Sequence, residues 1–153
     1  MLLAAAAFGG LAAPWLAPAE PNTIDLAAQL QAPGPAHPLG ADFYGRDLLS
    51  RLLWGARTTL SAGATGVLIG ATGGLLLGLL AGFDQGALGL ALVALIDLML
   101  AFPALLLALL VVALLGPSLP ALSVAVGIAG IPNYARLVRS LVLAGRSAPY
   151  VDA

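Results

Sequence analysis

His37 is the only histidine in the chain, and so the one side chain whose ordinary proton exchange falls near neutral pH. A serine hydrolase would pair it with a nearby serine and an oxyanion site. His37 instead stands between Pro35 and Pro38 in a loop-forming stretch, which leaves an intramembrane hydrolase as the remote reading. Cysteine is absent, so thiolate nucleophiles and disulfides are excluded, and a single histidine does not make the several-ligand set of a zinc site. Lysine is absent too; without the phosphate-gripping lysine of a P-loop, any ATP-driven work must come from another chain. The expected catalytic, cofactor and metal residues are therefore none. Binding positions remain. Asp97, Phe102 and Pro103 are candidates for lining a cavity, since they place a carboxylate and a bend inside an apolar run; an acid facing the membrane interface is the plain alternative for Asp97.

The elements that must hold these residues are set by composition. Of 153 residues, 61% are hydrophobic and 8% charged, with a mean hydropathy of +1.03; a soluble domain carries roughly a quarter of its residues as charges. Too little polar surface exists to solubilise a packed core, so lipid is the solvent. A net charge of −1 provides no basic field for nucleic acid. The reading is an all-α integral membrane protein with about four transmembrane helices.

Residues 1–19 are expected to form transmembrane helix 1, clipped at its start; small Ala17, Pro18 and Ala19 keep a signal-like segment open as the runner-up. Residues 20–57 read as an extramembranous loop because Pro21, Pro33, Pro35 and Pro38 remove backbone donors. The loop ends in a short amphipathic interfacial helix: Leu48, Leu49, Leu52, Leu53 and Ala56 recur at helical spacing, Asp47 and Arg51 form an i,i+4 pair, and Trp54 is an interfacial anchor. Residues 58–83 are transmembrane helix 2. Here Gly66, Gly70, Gly74, Gly78 and Gly82 fall every fourth residue and clear one ridge for close helix packing. Residues 84–97 are expected to be a turn and an interfacial lead-in, with Asp97 dividing the long apolar run. Residues 98–115 are then helix 3, 116–120 a turn, and 121–138 helix 4 with Gly127, Gly130 and Pro132. Arg136, Arg139 and Arg146 mark its exit into water, in the segment 139–153 or just before it. Four spans put both ends on one side, but three arginines at each side leave the orientation tied.

Residues 37–60 read His37-Pro-Leu-Gly-Ala-Asp-Phe-Tyr-Gly-Arg-Asp-Leu-Leu-Ser-Arg-Leu-Leu-Trp-Gly-Ala-Arg-Thr-Thr-Leu. This resembles the HPLGTD..GRD.LSRL..GAR.SL signature of the dipeptide, oligopeptide and nickel ABC-transporter permeases, specifically their C-type subunit. Ile96-Asp97-Leu-Met-Leu-Ala-Phe-Pro-Ala is similar to that family's VD..LAFP helix, and Pro132-Asn-Tyr-Ala-Arg-Leu-Val-Arg to its P.YARLVR exit. The three matches occur in order.

The resemblance implies a partial type I ABC-importer permease fold in the bacterial plasma (inner) membrane, multi-pass, with both termini cytoplasmic and the His37 loop outside. It implies partners: a second homologous permease subunit, two ATP-binding subunits and an extracytoplasmic substrate-binding protein. The implied function is half of a substrate pathway for peptides or nickel, without bond chemistry or cofactor. Two departures stand out. The family pattern has an arginine three residues before the aspartate, where this chain has Ala94, removing the local charge pairing that would fix Asp97. The family's YVEAA..LG run opens a cytoplasmic helix that couples to the ATPase, and Tyr150, Val151, Asp152 and Ala153 match only its start. The expectation is a permease fragment lacking the rest of that helix and two further spans, or half of a split permease. A non-transporting helix-packing scaffold is the alternative function.

Overall fold

The computed structural model describes residues 2–146, and the chain divides after Ser61 into two compact units. Among the described residues the regular structure is helical, apart from an isolated antiparallel bridge between Ala41 and Asp47.

The first unit holds α1 (Leu2–Leu11), α2 (Ala13–Leu16), a 3-10 turn (Leu26–Ala28) and the first turns of α3 (Leu48–Phe83). Pro14 has no N–H to continue the ladder of α1, and the backbone turns at Ala12 before α2 resumes. The apolar stretch over 1–19 thus becomes helices of 10 and 4 residues, each shorter than a bilayer crossing. Gly10 lets α1 approach α3 closely: a methyl group there would lie 2.8 Å from the Arg57 backbone nitrogen. The proline-rich loop is ordered by turns, with Leu30 N–H donating to Asp42 O and Ala41 N–H to Gln31 O. Gly45 is required by two independent constraints. Its φ is +72°, and any Cβ would run into the Asp25 carbonyl.

α3 is one continuous helix of 36 residues, about 54 Å long at 1.5 Å per residue. The interfacial helix and the second span, read from the sequence as separate pieces, are a single rod. Nothing between Arg57 and Leu60 interrupts the ladder; Thr58 even folds its hydroxyl back onto the Trp54 carbonyl at 2.9 Å.

The second unit contains the remainder of α3, then α4 (Ala87–Ala101), α5 (Ala104–Leu115) and α6 (Leu119–Arg146). Asp97 does not divide the apolar run: α4 passes through it, and the division falls at Phe102-Pro103, where the two helices bend by 94°. A carboxylate can project from an unbroken helix, whereas proline deletes a donor and pushes the preceding residue out of the helical region. Phe102 is accordingly extended (φ −86°, ψ 134°). α6 packs against α4 and α5. Its buried positions are small, with Ala121, Ser123, Ala125, Gly127, Ala129 and Ala135 joined by Pro132. A tight cluster forms around Ala81, Ile96 and Ala135, with Leu77, Leu92, Val93 and Leu100 packed on it. α3 and α6 are each long and apolar enough to cross a membrane, and the bent α4–α5 pair is a third span if taken as one.

Candidate functional site

The glycine ridge of α3 lies directly against α6. A methyl group at Gly70 would stand 3.1 Å from Gly127 O; at Gly78, 2.6 Å from Ala135 O and 2.7 Å from Val138 Cβ; at Gly82, 2.8 Å from Val142 Cβ. At Gly74 it would meet Tyr134 Cβ and the Ile131 carbonyl. The fit is reciprocal, since a methyl at Gly127 would lie 2.7 Å from Ile69 Cβ. Backbone rests on backbone along this seam, where close contact gains dispersion energy that lipid tails do not match. In the α6 half of the seam the sequence marked Gly127, Gly130 and Pro132 as packing positions, whereas Ile131, Tyr134, Ala135, Val138 and Val142 carry no glycine period to announce them.

At the lower end of the seam α6 clasps the end of α3. Arg139 Nε donates to Ala81 O at 3.3 Å, and Arg146 Nη1 donates to Gly82 O at 3.3 Å and Phe83 O at 2.7 Å. These carbonyls belong to the last turn of α3, which lacks intrahelical donors, and positive charge suits that end of the helix dipole. The sequence marked Arg139 and Arg146 only as exit anchors; their carbonyl partners lie 58 to 64 positions away, beyond any local pattern. A cleft of about 260 Å³ opens beside Arg139, lined also by Asp84, Gln85 and Leu143.

Asp97 receives a hydrogen bond from Arg136 Nη2 at 3.0 Å, an ion pair between α4 and α6. The arginine missing at position 94 is therefore replaced from a different helix. Both side chains are more than half exposed in this chain, at 59% and 64%, so the pair orients charge rather than anchoring a core. Phe102 ends α4, half exposed, and Pro103 opens α5 at the 94° bend. Tyr150, Val151, Asp152 and Ala153 lie outside the described residues.

The loop around His37 is built on two carboxylates. Asp47 caps α3: its Oδ2 accepts the Ser50 N–H at 2.7 Å, while Oδ1 meets His37 Nδ1 at 3.0 Å. The i,i+4 pair read between Asp47 and Arg51 does not form, because the Asp47 carboxylate is wholly engaged by the helix end and the histidine. Desolvation disfavours the charge on Asp47, but the Ser50 backbone N–H, the Ser50 hydroxyl and His37 outweigh it and hold the carboxyl below its usual range. Asp42 follows the same logic: desolvation raises it, and the N–H groups of Arg46 and Tyr44 together with the Arg46 guanidinium lower it further. Arg46 grips Asp42 through Nε and Nη2, both at 2.8 Å. Ser50 Oγ accepts the Ala19 N–H at 3.1 Å, and its carboxylate neighbour separates it from His37, so no serine–histidine couple forms here.

No family model matches the chain. Individual proteins do. Over 152 residues, 95% of this chain, it is 42% identical to the di/tripeptide transport system permease protein DppC of Pseudomonas aeruginosa, half of whose length is covered. Over 140 residues it is 43% identical to the probable D,D-dipeptide transport system permease protein DdpC of Escherichia coli, covering 92% of this chain and 47% of that one. It is 41% identical over 132 residues to the glutathione transport system permease protein GsiD of Pectobacterium atrosepticum, covering 86% and 44%. By sequence, the chain is similar to part of several peptide-transport permeases. It spans about half the length of the curated relatives it matches. The similarity and the long apolar helices make it a multi-pass membrane protein.

Proposed function

We propose that the chain forms part of the membrane-spanning substrate pathway of an ABC importer for peptides. The observation that carries this is 42% identity over 95% of the chain to a di/tripeptide permease. The structure supports it with a closely packed helix pair, α3 and α6, joined by the glycine seam, next to the bent α4–α5 pair with the Asp97–Arg136 ion pair on its face. Closely packed and bent elements side by side suit a gate that opens to either membrane face in turn. Asp97, Phe102 and Pro103 are the pathway residues in this reading, and peptides rank above nickel because the relatives are named for di/tripeptides, D,D-dipeptides and glutathione.

The chain makes and breaks no covalent bonds here. Two ATP-binding subunits supply energy through the segment around Tyr150, Val151, Asp152 and Ala153, a second homologous permease subunit completes the pathway, and an extracytoplasmic binding protein delivers the peptide. The setting is the bacterial plasma (inner) membrane, both termini cytoplasmic and the 20–57 loop outside. Deleting the reading frame in its source organism should abolish uptake of isotope-labelled dialanine, with restoration on re-expression. Undiminished uptake would overturn the proposal and favour a packing scaffold that shares the seam but moves nothing.

A further inference from the structure

We propose that segments 24–30 and 39–45 form a platform seated in the headgroup layer of the membrane, a lipid contact made by a loop in addition to the spanning helices. The polarity of this loop is inverted. Between positions 37 and 47 the acids, the arginine and the histidine are turned inward: the side chains of His37, Asp42, Arg46 and Asp47 are 0 to 25% exposed. The large apolar side chains do the opposite, with Ile24, Leu26, Leu30, Leu39, Phe43 and Tyr44 between 48 and 69% exposed. A loop surrounded by bulk water would reverse this arrangement. Backbone ties gather these residues in one place: Leu30 N–H donates to Asp42 O at 3.1 Å, Ala41 N–H donates to Gln31 O at 3.0 Å, and Gly45 rests on the Asp25 carbonyl. An apolar patch concentrated on a braced backbone calls for a surface that covers it.

What adjoins the platform identifies that surface as lipid. The Arg51–Asp42 ion pair, at 3.8 Å, ties the platform to the first turns of α3, and Trp54 stands about one turn further along that helix. Trp54 shares a cleft with Pro14, so the end of α2, with Trp15 exposed, lies beside it. Exposed apolar side chains therefore continue from the platform through Leu48 and Leu52 on α3 to Trp15 and Leu16 on α2. α3 is itself a membrane-crossing helix, and an apolar face that continues onto it meets the same solvent. Rings with a polar tip, here Tyr44, Trp15 and Trp54, suit the boundary between acyl chains and headgroups. Arg57, exposed and 5.3 Å above the Trp54 ring, sets a cation at that level for lipid phosphate. The inference needs only that the chain is a membrane protein, so it stands or falls apart from the peptide-importer reading.

The test uses the full chain in nanodiscs of phosphatidylcholine and phosphatidylglycerol. Because cysteine is absent, Leu30→Cys, Phe43→Cys and Ala36→Cys each accept a single nitroxide label; Ala36 serves as reference, in a proline-rich turn without large apolar side chains. Labels at positions 30 and 43 should collide more often with oxygen, which concentrates in lipid, than with water-soluble chromium oxalate, and the label at position 36 should show the reverse order. The unsubstituted chain gives a second reading that no variant can disturb. Lipid spin-labelled near its headgroup should broaden the amide resonances of Leu30, Phe43 and Tyr44 more than those of Gly34 and Ala36. Chromium oxalate reaching positions 30 and 43 as readily as position 36, or equal broadening throughout the loop, would overturn the platform and place the patch in water. Protection of positions 30 and 43 from both collision agents would also overturn it, and would assign the face to a protein partner.

Discussion

Asp47 shows how much one side chain can organise. Its carboxylate caps a 36-residue helix and fixes His37, while Ser50, whose N–H it accepts, is tied in turn to Ala19. Replacing Asp47 with Ala removes the cap and strands a buried N–H, and should lower stability by about 2 kcal/mol, read by thermal unfolding in detergent. The pH dependence has a definite sign. Because the folded pKa of Asp47 is depressed, its stabilisation is present above the unfolded carboxylate value and is lost as pH falls through the lower folded one. Unfolding temperature should therefore drop on acidification below the ordinary carboxylate range, and drop less in Asp47→Asn. The sequence showed Asp47 as a helical acid four residues before Arg51, which is local information; that it serves His37 instead depends on the loop folding back through Gly40 and Gly45.

Helices in this chain are joined by absences of side chain, and that can be tested with one methyl group. Gly78→Ala sets a Cβ 2.6 Å from Ala135 O, a backbone atom that cannot rotate away, and should destabilise by about 1–3 kcal/mol. Gly63→Ala, on the same helix but with nothing within 4 Å, should be neutral or stabilise by about 0.5–1 kcal/mol. Equal effects in denaturant titrations would mean the α3–α6 seam does not carry the contact. The fourfold glycine period was legible as one half of an interface. Its partner was legible only at Gly127 and Gly130, because further along α6 meets the ridge with Ile131, Tyr134 and Val138, whose spacing looks the same whether they face lipid or protein. In the long apolar run proline was the better guide to the break: Pro103 interrupts the backbone, and Asp97, which seemed the divider, only decorates it.

Across the molecule, large apolar side chains stay exposed, including Leu105, Leu106, Leu109 and Leu114 on α5, and the buried core is mostly alanine and glycine. This inversion of a soluble protein is what a lipid solvent requires. Since the chain has no cysteine, single substitutions report sidedness cleanly. Cysteines at Asn22 and Ser118 should label from outside the cell with a membrane-impermeant maleimide, and Gln85→Cys only after permeabilisation. Labelling of Gln85→Cys in intact cells would refute the proposed orientation.

Some of this was decided by one-dimensional information. Lipid as solvent, the helical class, the peptide-permease relationship and the glycine ridge follow from composition, period and motif, because transfer free energy and helix geometry act on neighbours in the chain. Tertiary structure alone decided the pairings: Arg136 with Asp97, Arg146 with the end of α3, His37 with Asp47, and Arg51 with Asp42. A charge finds its partner through space, and the separations involved, 39 positions for Asp97 and Arg136 and 63 for Arg146 and Phe83, leave no periodic trace in the sequence.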